Sequence, residues 1–214
     1  MARAFSDEPA VIFWMGSADN TGMPLSLPVD QLALAARGSA ELVIDAQHHR
    51  RVVLDGILKS IVSLDIATAD FKAMLVPQAG STRRAISIVE VFRRLASRGV
   101  EIRLLHAGTP SAPALHELKR ALPSNLTIRR CPRLHAKTVI VDSRMMYLGS
   151  ANLTGAGLGA KADGKRNFEL GIWTESATLI DAVMEQFNTL WEGRRCQSCR
   201  RKDVCPVPLE EPRL

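Results

Sequence analysis

The chain has 214 residues, 46% hydrophobic and 23% charged, enough for one domain with a sizeable core and too few for two full ones. No apolar run reaches the roughly 18 residues of a membrane helix, and the first residues lack a basic-then-apolar leader, so the expected location is the cytoplasm. A formal net charge of +6 favours polyanionic partners such as nucleic acid, although a solvated basic surface has the same composition.

Residues 1–42 read as an N-terminal extension of unassigned role. It holds a short apolar strand over Val11–Trp14, a stretch punctuated by Gly and Pro through Pro28, and a weak helix near Asp30–Arg37. Within it Gly16-Ser17-Ala18-Asp19-Asn20-Thr21-Gly22 echoes Gly149-Ser150-Ala151-Asn152-Leu153-Thr154-Gly155; its matching histidine would fall at Ala2, so the echo is read as chance.

From Val43 to residue 193 strands and helices alternate. The pattern predicts a helix over Val52–Ile61, a strand over Leu64–Thr68 and a helix starting near Ser81, capped by that serine and ended at Gly99. A strand over Val100–Leu105, a helix near Pro113–Ala121 and a strand over Leu126–Ile128 follow. Two strands around residues 134–149 and one over Phe168–Trp173 come next. The closing helix carries Ile180, Val183, Met184, Phe187, Leu190 and Trp191 as one apolar stripe. Such alternation implies an α/β sandwich, a mixed sheet flanked by helices.

Leu134-His135-Ala136-Lys137-Thr138-Val139-Ile140-Val141-Asp142, followed by Gly149-Ser150-Ala151-Asn152, concentrates the chemistry. On a strand, alternation would place His135 and Lys137 on one face, an imidazole beside a cation. A phosphodiester repels nucleophiles by its own charge, so a catalyst needs cationic or donor groups at the non-bridging oxygens and a nucleophile in line. Lys137, the Ser150 hydroxyl and the Asn152 amide suit the first need, and His135 suits the second.

The pattern H-x-K-x(4)-D-x(6)-G-S-x-N resembles the phospholipase D superfamily at every spacing, and Asn167-Phe168-Glu169 is similar to the N-x-E strand that follows it there. The resemblance covers about residues 43 to 192 and implies a phospholipase D-like sandwich with one half-site per chain. It also implies a phosphohistidine on His135 and a hydrogen bond from the imidazole to Glu169, for which a solvent-facing strand glutamate is the plain alternative. Asp142 matches the motif's aspartate and is read as ordering the local turn. Two histidines are needed, one as nucleophile and one as general acid and base. His48, His49, His106 and His116 lack the motif around them and read as surface or loop residues, so the resemblance points to a homodimer facing two copies of His135. No magnesium-type carboxylate cluster accompanies the motif, and the histidine chemistry requires no cofactor.

Residues 194–214 form a basic tail in which Cys196, Cys199 and Cys205 have the spacing C-x2-C-x5-C, and Cys131 is the one other cysteine. In a cytoplasmic protein this favours a metal over disulfides. The spacing is similar to the cysteine set of iron-sulfur-stapled nucleases from CRISPR adaptation and helicase–nuclease complexes, which implies a 4Fe-4S cluster on Cys131, Cys196, Cys199 and Cys205. Structural zinc is the alternative, and a reduced basic tail with Pro206, Pro208 and Pro212 is the plain one. Arg194, Arg195, Arg200, Arg201 and Lys202 would surround the site, available to phosphates or simply solvated.

The expectation is therefore a metal-independent phosphodiesterase, a DNA endonuclease acting as a homodimer. By contextual analogy with small members of the superfamily it would serve bacterial anti-phage defence, in a larger defence complex. A phospholipase acting on lipid headgroups and a nucleic-acid-binding subunit of such a complex are the competing readings.

Overall fold

The computed structural model describes residues 40–77, 85–118 and 122–205; the strand and helix expected within residues 1–37, the motif echo and residues 206–214 lie outside that range. Among the described residues seven strands form one mixed sheet: β1 (Ala40–Ile44), β2 (Ser63–Thr68), β5 (Glu101–His106), β6 (Leu126–Arg130), β7 (Thr138–Val141), β8 (Met145–Gly149) and β9 (Leu170–Thr174). Their order is β1-β9-β8-β7-β2-β5-β6, parallel across β2, β5 and β6 and antiparallel elsewhere. A separate antiparallel ribbon pairs β3 (Leu75–Pro77) with β4 (Ala85–Ser87).

Period-two alternation sends each central strand into two layers. Leu64 and Ile66 of β2, Ile102 and Leu104 of β5, Val139 and Val141 of β7, Tyr147 of β8 and Trp173 of β9 enter the main core. There they meet Ile88, Val89, Val91, Phe92, Leu95 and Ala96 of helix α1 (Ile88–Ser97) and Ala114 and Leu118 of helix α2 (Ala112–Leu118). The opposite face sends Ala67 and Leu105 against Phe187 and Trp191, and Ile140 and Met146 against Ile180, all three from helix α3 (Ala177–Trp191). The sandwich of helices around a mixed sheet is thus present.

Several boundaries differ from the expectation. The extension boundary at residue 43 falls inside β1, whose Ala40–Ile44 pairs with β9. The helix expected at Val52–Ile61 is instead a π-helical turn (His49–Leu54) and a short 3-10 turn (Ile57–Lys59) broken at Gly56. A side chain on Gly56 would collide with the Val52 carbonyl and the Trp173 ring, so the chain widens there to seat Gly56 against that indole. The helix expected from Ser81 starts at Ile88, because Ala85–Ser87 is drawn into the ribbon and Ser87 accepts from the Glu90 amide at 3.1 Å as N-cap.

Arg103 ties α3 down. It pairs with buried Asp65 at 2.5 Å, donates to Asn188 Oδ1 at 3.0 Å and lies 5.0 Å from the Phe187 ring centroid. Arg129 of β6 donates to the Trp191 carbonyl at 2.7 Å, fixing the point from which the cysteine-bearing tail departs.

Candidate active site

The motif occupies the ends of β7, β8 and β9. His135 and Lys137 are not in a strand: residues 134–137 are irregular and β7 begins at Thr138. Leu134 is anchored in the cluster with Phe187 and Trp191, and its amide donates to the Cys131 carbonyl at 2.9 Å, so the backbone turns before it can pair. The two side chains nevertheless meet. Lys137 Nζ lies 2.8 Å from the His135 carbonyl oxygen and 3.1 and 3.3 Å from the two ring nitrogens. His135 is exposed while Lys137 is 9% exposed, and burial pushes the ammonium below its ordinary pKa against the opposing pull of Glu169. Buried cation and exposed imidazole form one unit, the first able to steer the second.

The turn arrives beside it through strand register. Thr138 pairs with Leu148, and the Gly149 amide donates to the Lys137 carbonyl at 3.2 Å. A Cβ on Gly149 would collide with the Tyr147 hydroxyl and the backbone of Leu170 and Gly171, which is why glycine stands here. That hydroxyl is the hub of a buried network. His48 Nδ1 lies 2.9 Å from the Asp45 carbonyl, which can only accept, so Nδ1 carries the proton and Nε2 accepts from Tyr147 Oη at 2.9 Å. Tyr147 Oη in turn accepts from the Ala151 amide at 3.1 Å. Burial pushes the phenol up to about 12, keeping it protonated, and lowers His48, keeping it neutral.

Each remaining motif residue has a defined place. Asn152 Oδ1 accepts from the Asp70 amide at 3.1 Å and lies 3.3 Å from Thr68 Oγ1, which commits the oxygen and leaves Nδ2 as the donor end for a ligand. The Ser150 hydroxyl donates to Glu169 Oε2 and accepts from the Leu170 amide, so its proton serves the carboxylate in place of the phosphate contact expected of it. Glu169 is buried, with Oε1 taking Asn167 Nδ2 at 3.0 Å. Within this chain the described partners of its carboxylate are Ser150 and Asn167, not the His135 imidazole. Asp142 lies at the far end of β7, four strand residues from Lys137, and has a left-handed backbone (φ +53°). Its Oδ1 accepts from the amides of Val62 at 2.7 Å, Ser63 at 2.9 Å and Ile61 at 3.1 Å, so it anchors the start of β2 and touches no reacting group.

Two of the four other histidines depart from the surface reading. His48 and His106 are fully buried, and His106 Nδ1 lies 2.7 Å from the Gly108 carbonyl. His116 is exposed on α2. Asp45, His48, Tyr147 and Thr68 support the site without any sequence signal, since His48 and Tyr147 are 99 positions apart. Asp45 further holds Glu169 in place, accepting from its amide at 2.9 Å.

From His135 a groove of about 660 Å³ runs toward the tail, lined among others by Arg133, Gln186, Arg195, Ser198 and Arg200. Arg194 is not part of it, being bound to Glu185 at 2.8 Å and Glu192 at 2.6 Å. At the far end Cys131, Cys196, Cys199 and Cys205, none of them in a disulfide, line one small cavity with Arg201 and Lys202. No group of three or more described His, Cys, Asp or Glu side chains is disposed to hold a single metal ion.

Residues 53–191 match the family model described as cardiolipin synthase, PLD-like domain. Among solved structures, the chain is similar to the phospholipase D family member Nuc from Salmonella typhimurium, with 19% identity, a TM-score of 0.55, and coverage of 72% of this chain and 94% of that one. It is also similar to NucT from Helicobacter pylori, with 17% identity, a TM-score of 0.54, and coverage of 72% and 96%. No protein among the curated ones matches significantly. With the family model spanning most of the chain and the H-x-K and G-S-x-N residues assembled at one set of strand ends, the chain belongs to the phospholipase D superfamily of phosphodiesterases, as a form with one motif per chain.

Proposed function

We propose that the protein is a DNA endonuclease that acts as a cytoplasmic homodimer through a phosphohistidine. The observation that carries the nucleic-acid reading is the placement of His135, exposed with Lys137 on its ring, at the mouth of a groove lined by Arg133, Arg195 and Arg200. Three guanidiniums along one groove suit a repeating phosphate backbone. Among the described residues no helix is long and apolar enough to cross a membrane.

In the proposed reaction a His135 ring nitrogen attacks phosphorus, forming a P–N bond as the P–O bond to the leaving strand breaks. The partner's His135, protonated, gives its proton to the leaving oxygen. That second imidazole then takes a proton from water, whose oxygen attacks phosphorus and releases His135. Lys137 and Asn152 Nδ2 supply positive charge and a donor to the non-bridging oxygens. Both proton transfers and the nucleophile are supplied by imidazoles, so no step requires a metal.

The second copy has a surface to occupy. Leu42 (56% exposed), Ile44 (43%), Leu148 (38%) and Leu170 (56%) share one sheet face, since Ile44 pairs with Leu170 and both Leu42 and Leu148 pair with Ile172. No described helix covers this patch, and it adjoins the half-site at Ser150 and Glu169.

The decisive experiment incubates the protein and His135→Ala with single- and double-stranded DNA, RNA and phosphatidylcholine vesicles in EDTA. Cleavage of DNA by the native protein alone is expected. Hydrolysis confined to the lipid would select the phospholipase, and DNA binding without any cleavage would select the binding subunit.

A further inference from the structure

We infer that Cys131, Cys196, Cys199 and Cys205 together hold an iron–sulfur cluster whose task is to fix the arginine wall of the substrate groove. The groove half of this inference rests on the nucleic-acid reading above; the cluster half does not.

All four of the chain's cysteines line one small cavity, brought together from two segments separated by the whole of β7 through α3. They are thiols, not disulfides. Cys131 packs beside the Phe187 and Trp191 cluster, so that side of the cavity is anchored in the fold. The other side is not. Residues 192–205 contain turns and bends only, and their side chains are exposed or half-buried throughout. Backbone hydrogen bonds within this stretch are local, such as the Cys199 amide on the Cys196 carbonyl at 3.1 Å and the Cys205 amide on the Arg201 carbonyl at 3.1 Å. So little buried apolar surface cannot offset the entropy of ordering such a segment, and a ligand bound by several thiolates supplies the missing free energy.

The surroundings favour thiolates. Arg133 Nη1 donates to Cys199 Sγ at 3.5 Å, and Arg201 and Lys202 also line the cavity, so cations face a centre that is net negative once four thiolates bind it. The lining supplies four thiolates and no histidine or carboxylate, the ligand set that iron–sulfur clusters take. A structural zinc also accepts four thiolates, and metal analysis separates the two.

The consequence reaches the groove. Cys131, Cys196 and Cys199 line the substrate groove as well as the cysteine cavity, and Arg195 and Arg200 each adjoin one of them in sequence. Clamping the cysteines therefore sets where two of the three groove guanidiniums stand.

The test begins with the whole protein purified without oxygen. Iron and acid-labile sulfide in similar amounts, with a brown colour lost on oxidation, are expected; one colourless zinc per chain, or no metal, would overturn the cluster. The doubly substituted Arg195→Gln, Arg200→Gln protein should keep its iron while binding a DNA oligonucleotide at least about tenfold more weakly, with a salt dependence shallower by about two counterions. Unchanged affinity and slope would overturn the groove role. Because Cys196→Ala can fail to fold, the cluster is judged on the native protein's metal content. An iron-loaded protein that binds no DNA would refute the nucleic-acid reading while leaving the cluster standing.

Discussion

The two ends of the sheet are finished differently. At the β2, β5 and β6 end both faces are covered, one by α1 and α2 and the other by the Phe187 and Trp191 end of α3, with Asp65, Arg103 and Arg129 locking the helix down. At the β1, β9 and β8 end the inner face is filled by Val43, Tyr147 and Trp173, while Leu42, Ile44, Leu148 and Leu170 stand on the outer face in water. The motif bridges the two: Ser150 and Glu169 adjoin the open face, while His135 follows Leu134 of the Phe187 and Trp191 cluster and Asn152 reaches the Asp70 amide just beyond β2. The covered end buries its own apolar surface, and the open end leaves exposed the face that the proposed second copy would cover.

The largest effects are expected at the His135 motif. His135→Ala should abolish cleavage, a loss of at least about 10⁴-fold, with unchanged folding by circular dichroism, and its heterodimers with native chain should be nearly inactive. Lys137→Ala should lower kcat by about 10²- to 10³-fold with KM little changed, since its charge acts on a phosphate whose charge is redistributed. A change confined to KM would contradict that role.

At the open end, Leu42→Glu with Leu170→Glu should give a folded monomer by light scattering, with activity lost in proportion to the dimer. An active monomer would refute the shared site. At the covered end, Trp191→Ala should cost about 3–5 kcal/mol in denaturant titration, because it empties a packed site and removes the ring beneath the Arg129 guanidinium. Association should be unaffected there.

Two smaller effects sharpen the picture inside the site. Tyr147→Phe leaves His48 Nε2 and the Ala151 amide unpaired and should cost about 1–3 kcal/mol, with some fall in kcat as the turn loosens. Burial holds His48 and His106 below the ordinary 6.5. The unfolded chain therefore takes up protons first: their contribution to stability is complete above about pH 6.5 and is lost as pH falls through the lowered folded values. Titrating the unfolding midpoint from pH 7.5 to about 5 checks the sign, and a His48→Gln protein should show a shallower decline.

The H-x-K and G-S-x-N spacings, the alternating strands and the stripe of α3 were legible because each is a local pattern: side-chain period, turn chemistry or a fixed offset along one chain. The choice of partners was not. Ser150 donates to Glu169 where a phosphate contact was expected, and Asp142 anchors residues 61–63. His48 passes from apparent surface histidine to buried prop of Tyr147. A hydrogen bond is decided by which donors and acceptors the sheet register brings into reach, and register brings together residues 99 positions apart, as with His48 and Tyr147. Residue order along the chain sets the chemistry available: an imidazole, an ammonium, an amide and four thiols. Folding selects which groups stand exposed at the groove, which hold others in place, and that the four thiols share one cavity, because burial and proximity belong to packed surfaces and not to order along the chain.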